Sequence, residues 1–361
     1  MTVQVWLQSR RAVFALAAWA GLLAAPAVAD MGVDTRPART ARLDGSPARF
    51  LFCDQPGGAI VVGIAVGRRV IEAGPALDGR TATLDPRRCE PPESARPSVQ
   101  CSVGAPPVIT YVDVRLANRA RRLGHGIFGE RWEYSSLRLR LLSGVDAVSW
   151  VDHEIGLPAD EYFEDRSVRH ILAAGTASSD ACGMGFLVIQ SHVRDGAALV
   201  LYALAPLTGL TPQVVSDPLG TPALWRDVIG VADVVGDGRL RVVEVVEPHG
   251  RGRLQLNEVR NRRFEPGAGL EGYSSHRLGT PRQGIGALLD LTEDGAAEIV
   301  VPTGDWKCLA FVSAGSGELR ETGRWCSESP IVDVVAGDLD GNGRKDLLLV
   351  RADGTLAAWT R

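Results

Sequence analysis

Lysine is almost missing from this 361-residue sequence, which has only Lys307 and Lys345 among its 39 basic residues and a net charge of −4. A chain with so few lysines and a net negative charge lacks the polybasic field that holds phosphate backbones, so we expect no nucleic-acid partner. Aromatic residues are also scarce, at 6%, whereas 45% of the residues are hydrophobic. These fractions exclude a disordered or collagen-like chain and indicate a folded protein.

The N-terminus has the organisation of a secretory signal. Arg10 and Arg11 precede an apolar run that ends in a proline and three small residues. This order predicts a signal peptide over 1–29 and a periplasmic or secreted protein, and the paired arginines leave general secretory and twin-arginine export open as routes. No later stretch has the ~18 to 20 apolar residues of a transmembrane helix, so we expect no membrane span.

The cysteines are expected to form disulfides. The sequence has no C-x-x-C motif and no Cys/His pair with zinc spacing, and an exported chain reaches an oxidising compartment. Cys308 and Cys326 flank a glycine-rich turn symmetrically, so a hairpin would place them opposite each other. Cys89 and Cys101 flank a short Pro- and Ser-rich loop, so we expect them to pair. Cys53 and Cys182 are then left, and we expect them to form the third disulfide.

An acidic, glycine-containing turn recurs in the C-terminal half at intervals of ~50 residues, which is the signature of a repeat architecture. The tetrapeptide Leu-Gly-Thr-Pro at 219–222 returns unchanged at 278–281, and each copy precedes one of these turns. An aliphatic run follows every turn. Three turns are clear and the first has decayed; in chain order they begin at Asp180, Asp233, Asp290 and Asp338.

The sequence of each period predicts four short strands separated by turns. Apolar, β-branched or alternating segments occupy 228–234, 241–246 and 253–259, and a fourth extended piece follows. Four antiparallel strands per ~50 residues are typical of a β-propeller blade. The alternation of Leu137–Leu141 extends this interpretation upstream. The predicted fold class is therefore all-β: a β-propeller of about six four-stranded antiparallel blades, with seven as the alternative.

We expect one propeller domain over 48–361, preceded by a polar leader over 30–47. The last period holds only three strands, and an incomplete blade would expose an unpaired strand edge. A strand from the other end of the chain would remove that edge, and Arg49–Cys53 is the predicted closing strand.

The Asp338 turn has the composition of a calcium loop. Oxygen-bearing side chains stand at its positions 1, 3, 5 and 9, glycine stands at position 6, and a backbone carbonyl at position 7 can add a ligand. Position 12 is Leu349 and strands flank the turn, which excludes an EF-hand. The predicted Ca²⁺ ligands are Asp338, Asp340, Asn342, the carbonyl of Arg344, and Asp346.

The pattern Asp-x-Asp-x-Asn-Gly-x-x-Asp followed by Leu-Leu-Leu-Val resembles the calcium loops of the FG-GAP, or VCBS, propellers of integrin α chains and many exported bacterial proteins. The resemblance covers about 175–361, and it implies a loop that joins the first two strands of a blade. In the Asp233 copy Val235 and Arg241 replace oxygen ligands, and Arg241 adds a positive charge, so we expect no calcium there. A weaker calcium site is expected at Asp290, Thr292, Asp294 and Glu298.

Signals for an enzyme are weaker. Gly124–Gly129 matches G-x-G-x-x-G but leads into a predicted strand, whereas a dinucleotide site needs a helix N-terminus. The run Pro158–Asp165 has four carboxylates that could include an acid/base pair, although acidic runs are usually solvated loops. Histidines near predicted turns either satisfy backbone groups or act as ligands at a propeller mouth; they are His125, His170, His249 and His276.

The sequence therefore predicts an exported, monomeric, calcium-stabilised β-propeller that binds a protein or a glycan and catalyses nothing. An alternative from another class is a carbohydrate-active hydrolase or lyase on a propeller scaffold, which would use the carboxylates within Asp160–Asp165, Glu161 and Glu164 among them. A purely structural envelope component is a third possibility.

Overall fold

The regular secondary structure in the described part of the chain is almost entirely β-strand. The computed structural model describes residues 36–42, 47–54, 60–66, 69–72, 83–84, 89–90, 98–99, 109–143, 149–168, 170–173, 184–205, 209–338 and 342–360. A short 3-10 turn at Gly315–Gly317 is the one helical element in these ranges. No helix within them is long and apolar enough to cross a membrane. The all-β prediction is confirmed. The predicted signal peptide lies outside the described residues.

The strand boundaries define the elements used below. In chain order the strands are β1 (Arg39–Arg42), β2 (Pro47–Asp54), β3 (Ile60–Val66), β4 (Arg69–Glu72), β5 (Thr83–Leu84), β6 (Cys89–Glu90), β7 (Ser98–Val99), β8 (Ile109–Ala120), β9 (Glu133–Ser143), β10 (Ser149–Gly156), β11 (Glu161–Phe163), β12 (His170–Ala173), β13 (Met184–His192), β14 (Gly196–Ala205), β15 (Gly209–Val215), β16 (Arg226–Ala232), β17 (Arg241–Val246), β18 (Arg253–Arg260), β19 (Arg263–Leu270), β20 (Ala287–Leu289), β21 (Glu298–Pro302), β22 (Cys308–Ser313), β23 (Arg320–Cys326), β24 (Ile331–Gly337), β25 (Asp346–Arg351) and β26 (Thr355–Trp359).

These strands pair as antiparallel meanders. Strands β16 to β19 form one four-stranded meander, β20 to β23 form the next, and β24 to β26 form a third that β1 completes. Upstream, β12 to β15, β7 to β10 and β2 to β5 follow the same up-and-down order. Short pairings join some neighbours: Phe163 pairs with Tyr134 and Gln190, and Val215 pairs with Arg263. Closure of these sheets into a propeller, and the number of blades, stay predictions.

Successive sheets share hydrophobic cores. Val243 in β17 and Ile299 in β21 lie in one buried cluster, and Val300 in β21 and Leu347 in β25 lie in the next. Two further clusters join β8 and β9 to β13 and β14, and β13 and β14 to β16 and β17. The second strands β17, β21 and β25 are buried along their whole lengths. Most of their side chains are apolar, and buried Glu244 in β17 accepts hydrogen bonds from Arg226 and Asn257.

The last sheet takes its fourth strand from near the N-terminus, but from a segment other than the predicted one. Strand β1 pairs antiparallel with β26, and Arg39 lies opposite Ala358. The predicted closing strand Arg49–Cys53 instead lies in β2, which pairs with β3 and β6, so that prediction is wrong. The segment Arg39–Arg42 lies inside the expected polar leader and has no apolar alternation. It can still form a strand, because an edge strand can be held through its backbone groups.

The cysteine positions test the predicted hairpin. Cys308 and Cys326 are register partners in β22 and β23 and form a disulfide, so this prediction is confirmed. In β2 and β6, the backbone of Cys53 lies opposite that of Cys89. The pairings of Cys89 with Cys101 and of Cys53 with Cys182 stay predictions. Cys101 and Cys182 lie outside the described residues.

Candidate functional site

The three clear acidic turns share one strand register. In each, the residue before the first aspartate pairs with the ninth residue of the turn. The partners are Ala232 with Arg241, Leu289 with Glu298, and Gly337 with Asp346. The ninth side chains are all buried, so each turn directs its ninth residue inward whatever that residue's charge.

The same three turns also share two side-chain hydrogen bonds. The first aspartate accepts a hydrogen bond from the backbone N–H of the glycine at position 6, at 2.6, 3.0 and 2.8 Å in chain order. The side chain at position 5 accepts one from the N–H two residues later. The glycines have φ near +80 to +90°, a conformation that other residues adopt only under strain; they are Gly238, Gly295 and Gly343.

A guanidinium group occupies the interior of the Asp233 turn. Arg241 donates to both carboxylate oxygens of Asp237, at 2.8 and 2.7 Å, and lies 3.8 Å from Asp233. The hydrogen bonds from Arg241 hold the pKa of Asp237 well below its usual range. The positive charge that the sequence predicted for this turn is therefore placed between its two aspartates.

The Asp290 turn has a buried carboxylate at its ninth position. Glu298 is 3% exposed and accepts hydrogen bonds from the Thr292 hydroxyl, at 2.9 Å, and from the Leu291 N–H. Burial raises the pKa of Glu298, and the charges of Asp294 and Asp290 raise it further. A cation or a proton would be favoured at this position, and its oxygen ligands suit Ca²⁺.

The Asp338 turn is described only in part. Asp346 is fully buried, the side-chain oxygen of Asn342 accepts from the Arg344 N–H at 2.7 Å, and the Arg344 guanidinium pairs with Glu293 of the neighbouring turn. Asp340 lies outside the described residues, and within the described ranges no three His, Cys, Asp or Glu residues form a metal-binding group. Calcium binding at this turn stays a prediction that its all-oxygen ligand set supports.

A second site combines histidines and aromatic rings from separate parts of the chain. The histidine–aromatic cluster consists of His125, Phe128, Glu164, Trp225, His249 and His276. These residues come from the β8–β9 loop, the segment after β11, the residue before β16, the β17–β18 turn and the segment before β20. The cluster therefore depends on several meanders at once.

The β8–β9 loop is fixed by hydrogen bonds to its neighbours. The Glu133 carboxylate accepts from the N–H groups of Gly124, at 2.7 Å, and Arg122, at 3.1 Å. Gly129 lies against Gly279, where a Cβ would come within 2.8 Å of the Gly279 carbonyl oxygen. The glycines of the G-x-G-x-x-G match therefore serve turn geometry and close packing, and a strand follows them as predicted.

Glu164 connects three members of the cluster. Its carboxylate lies 2.8 Å from Nδ1 of His125 and accepts a hydrogen bond from the Ser191 hydroxyl at 2.5 Å. Its backbone carbonyl accepts from the indole N–H of Trp225 at 3.2 Å. A fully engaged carboxylate at 3% exposure holds His125 and Trp225 in fixed orientations.

The imidazole rings of His249 and His276 form a hydrogen-bonded pair. Nε2 of the buried His276 lies 2.8 Å from the carbonyl oxygen of Thr280, which can only accept, so this nitrogen carries the proton. Nε2 of His249 lies 2.7 Å from Nδ1 of His276, so one hydrogen bond joins the two rings. Partial burial and the neighbouring His276 lower the pKa of His249 to about 4, which keeps the ring neutral near pH 7.

Aromatic rings enclose the pair. Trp225 stacks on His249 with ring centroids 5.7 Å apart and meets His276 edge-on at 4.9 Å. Phe128 meets Trp225 and His276 edge-on at 5.6 and 5.4 Å. Three of these histidines were predicted candidates, whereas Phe128 and Trp225 were not. Aromatic residues beside turns, in a chain with few aromatic residues, are the signal that could have found both.

The other predicted site residues lie apart from one another. Asp160 is exposed beside His192 at 3.2 Å, whereas Asp165 is buried and accepts from the Ile189 N–H at 2.6 Å. The expected solvated loop is therefore wrong for Glu164 and Asp165, because β11 begins within the acidic run and directs its end into the sheets. His170 lines a separate cavity of about 290 Å³.

Comparison with known proteins adds no identity. No family model and no curated protein matches the chain.

Proposed function

We propose that this protein is an exported, calcium-stabilised β-propeller that acts as a non-catalytic binding module for a protein or a glycan, with the histidine–aromatic cluster on its ligand-binding face. Shared cores between successive four-stranded meanders support the propeller. The pairing of β1 with β26, which joins the two ends of the chain, supports closure of the ring.

The observation that carries the binding function is the convergence of the cluster. Five segments that are far apart in sequence meet there, and each is fixed by hydrogen bonds to a neighbour. Binding residues are often carried by loops that a rigid scaffold positions, and this cluster has that construction. Its side chains combine apolar rings with a few oriented polar groups, which is typical of ligand sites.

The acidic turns serve a different end of the sheets. In an antiparallel meander, the turn between the first two strands lies at the opposite end from the turn between the second and third. The Asp233 turn joins β16 to β17, and His249 lies between β17 and β18, so the two sites lie at opposite ends of that sheet. We assign stability to the acidic turns and ligand binding to the opposite end.

Calcium fits the Asp338 turn by its chemistry. Asp338, Asp340, Asn342 and Asp346 offer side-chain oxygens, and the Arg344 carbonyl adds another; bound Ca²⁺ would supply the positive charge that three aspartates need. The Asp233 turn supports this assignment because Arg241 supplies a positive charge at the corresponding place.

The contacts of the acidic run favour binding over hydrolysis. Asp160 pairs with His192, Glu161 accepts from the Gln190 amide at 2.6 Å, and Glu164 contacts His125 and Ser191. Protein donors thus surround these carboxylates, whereas a glycosidase presents one protonated and one ionised carboxyl group to the substrate.

Binding by the mature chain, residues 30–361, tests the proposal. The protein is applied to an oligosaccharide array and to purified envelope proteins, and its turnover of a polysaccharide panel is followed by reducing-end release. We expect saturable binding that Phe128→Ala weakens and Glu318→Ala, an exposed change at the other end of the sheets, leaves intact. Turnover that Glu164→Gln abolishes would instead establish the hydrolase, and saturable binding to neither would refute the module.

A further inference from the structure

The cavity that His170 lines lies between the first strands of three sheets. Strands β16, β20 and β24 each stand at the edge of a sheet, and all three supply wall residues to this cavity of about 290 Å³. Because each of them has a strand partner on one side only within the described residues, its other edge leaves backbone N–H and C=O groups facing the cavity. The walls therefore combine apolar side chains with hydrogen-bonding backbone groups, and the volume suits a small molecule.

A short segment, the strap, crosses one end of this cavity and consists of residues 282–284. Each strap residue donates a hydrogen bond to a buried aspartate from a different segment: Arg282 to Asp333 at 3.0 Å, Gln283 to Asp165 at 3.2 Å, and Gly284 to Asp227 at 2.8 Å. Arg282 and Gly284 line the cavity, whereas the three aspartates do not. Since Asp227 and Asp333 lie near the beginnings of β16 and β24, the strap lies across the end of the cavity where these strands begin.

The opposite end of the cavity lies at the acidic turns. A second cavity, of about 630 Å³, adjoins the first there, because Ala232, Leu288 and Lys345 line both. Ala232 is the last residue of β16, and Lys345 belongs to the Asp338 turn. A ligand would thus enter between the acidic turns, and the strap at the far end favours a small molecule over a polymer threaded between the sheets.

The described residues on the cavity wall include basic side chains but no acidic one. The basic residues are His170, Arg282 and Lys345. Asp333 balances the charge of Arg282 at 3.0 Å. Lys345, in contrast, forms no ion pair within the part of the chain that the structure describes.

The carboxylates at the entrance have partners in their own surroundings. Glu293 pairs with Arg344, and Asp290 accepts a hydrogen bond from the Gly295 N–H at 3.0 Å within the turn where the weaker calcium site is predicted. Among the described residues, no carboxylate is therefore paired with the Lys345 ammonium. A cation in a recess that is partly shielded from water attracts an anion more strongly than a cation on an open surface does.

We propose that this cavity is a second binding site, in addition to the histidine–aromatic cluster, and that it takes a small organic anion whose carboxylate or phosphate group pairs with the Lys345 ammonium. Arg282 at the strap end adds positive charge to the wall, and the N–H groups of the edge strands supply further hydrogen-bond donors. The site goes beyond the binding function proposed for the cluster and does not depend on it.

Matched pairs of small molecules test the requirement for a negative charge. Acetate, succinate and glycerol 3-phosphate are compared with their neutral counterparts acetamide, succinamide and glycerol by calorimetry on the mature chain in calcium-containing buffer. We expect at least one anion to bind saturably and its neutral counterpart to bind at least tenfold more weakly, the effect of one charge-assisted hydrogen bond. The carboxylate and phosphate probes show which group the site takes.

Lys345→Gln tests the cation because it removes the charge and retains most of the side chain. Its affinity for the anion should fall roughly tenfold, and Lys345→Arg should recover part of that loss. The matched control is Lys307→Gln at the chain's other lysine, which is exposed, pairs with Glu328 and does not line the cavity, so it should bind as the wild type does. Both glutamine variants should melt within a few degrees of the wild type without anion, and methyl NMR should show the Leu288 resonances moving when the anion binds.

Three outcomes would overturn the proposal: binding of none of the anions, equal binding of an anion and its neutral counterpart, or wild-type affinity in Lys345→Gln. If Lys345→Gln does not fold, Leu288 methyl resonances that stay unmoved in the wild type would overturn it as well. Phe128→Ala, which should weaken binding at the histidine–aromatic cluster, should leave anion binding unchanged. Failure of this second site would therefore leave the proposed function standing.

Discussion

The Asp233 and Asp338 turns have the same frame and differ at its ninth position. In both, the first aspartate accepts a hydrogen bond from the N–H of the glycine five residues later, and the ninth residue pairs with the residue before the turn. That ninth residue is Arg241 in one turn and Asp346 in the other, and both are buried.

This difference shows two ways to balance the same charge. In the Asp233 turn the chain carries its own cation, since the guanidinium of Arg241 lies between two aspartates. In the Asp338 turn every ionisable ligand is acidic, so a cation must come from solution, which is the calcium that we propose. The first arrangement is independent of the medium, whereas the second depends on the calcium concentration.

The largest effect should come from Asp346→Asn. Ligand binding stabilises a fold by RT ln(1 + [L]/Kd), which is about 2.7 kcal/mol at a hundredfold excess over Kd. A Kd of ~10⁻⁴ to 10⁻³ M is common in extracellular calcium modules. The wild type should melt higher in calcium than in chelator, and Asp346→Asn should remove most of that difference. Identical wild-type melting curves in calcium and chelator would disprove calcium binding at this turn.

A smaller loss is expected from Arg241→Ala, and it should be the same in calcium and in chelator. Removing the guanidinium leaves Asp233 and Asp237 facing each other without their counter-charge, which should lower the melting temperature by about 2–4 °C. The double variant with Asp237→Ala should recover part of this loss. A calcium-dependent loss in Arg241→Ala would show that the two turns are not independent.

Asp346→Arg replaces the proposed calcium-balanced arrangement of the Asp338 turn with the arginine-balanced arrangement of the Asp233 turn. The arginine at position nine should pair with the aspartates of its turn as Arg241 does, so the variant should lose its calcium response yet melt above Asp346→Asn in chelator. Scanning calorimetry of the two variants side by side makes this comparison. Equal melting temperatures in chelator would mean that the frame does not accept a guanidinium there.

The smallest effect concerns pH at Glu298 in the third turn. Because the pKa of Glu298 is raised in the folded state, the stability it contributes is present at pH below the unfolded value and is lost as pH rises through the folded pKa. In chelator, the wild type should therefore lose stability between acidic and neutral pH relative to Glu298→Gln, whose amide does not ionise. Parallel pH profiles of the two proteins would contradict a raised pKa.

Local features of this fold were predictable from the sequence. The hairpin between Cys308 and Cys326 and the register around the acidic turns follow from glycines and alternation within a few residues. The same holds for the charge of Arg241 in its turn. Turns and hairpins are determined by neighbouring residues, and a single sequence displays those directly.

Long-range features were not predictable, because they depend on contacts that no local pattern records. Strand β1 is held by its backbone pairing to β26, and its four residues have no apolar alternation. Glu164 is buried because partners far along the chain, Ser191 and Trp225, approach it. The pairing of His249 with His276 likewise requires two sheets to be in place.

The direction of β1 against β26 determines how the protein responds to a pulling force. Arg39 lies opposite Ala358 and Arg42 opposite Thr355, so the N-terminal end of β1 and the C-terminal end of β26 lie side by side. A force applied between the two ends of the chain would load the hydrogen bonds of this pair one after another, as when a zipper opens. A sheared pair would resist with all of its bonds at once. The last sheet should therefore open first, at low force, while the disulfide-linked sheet before it stays closed.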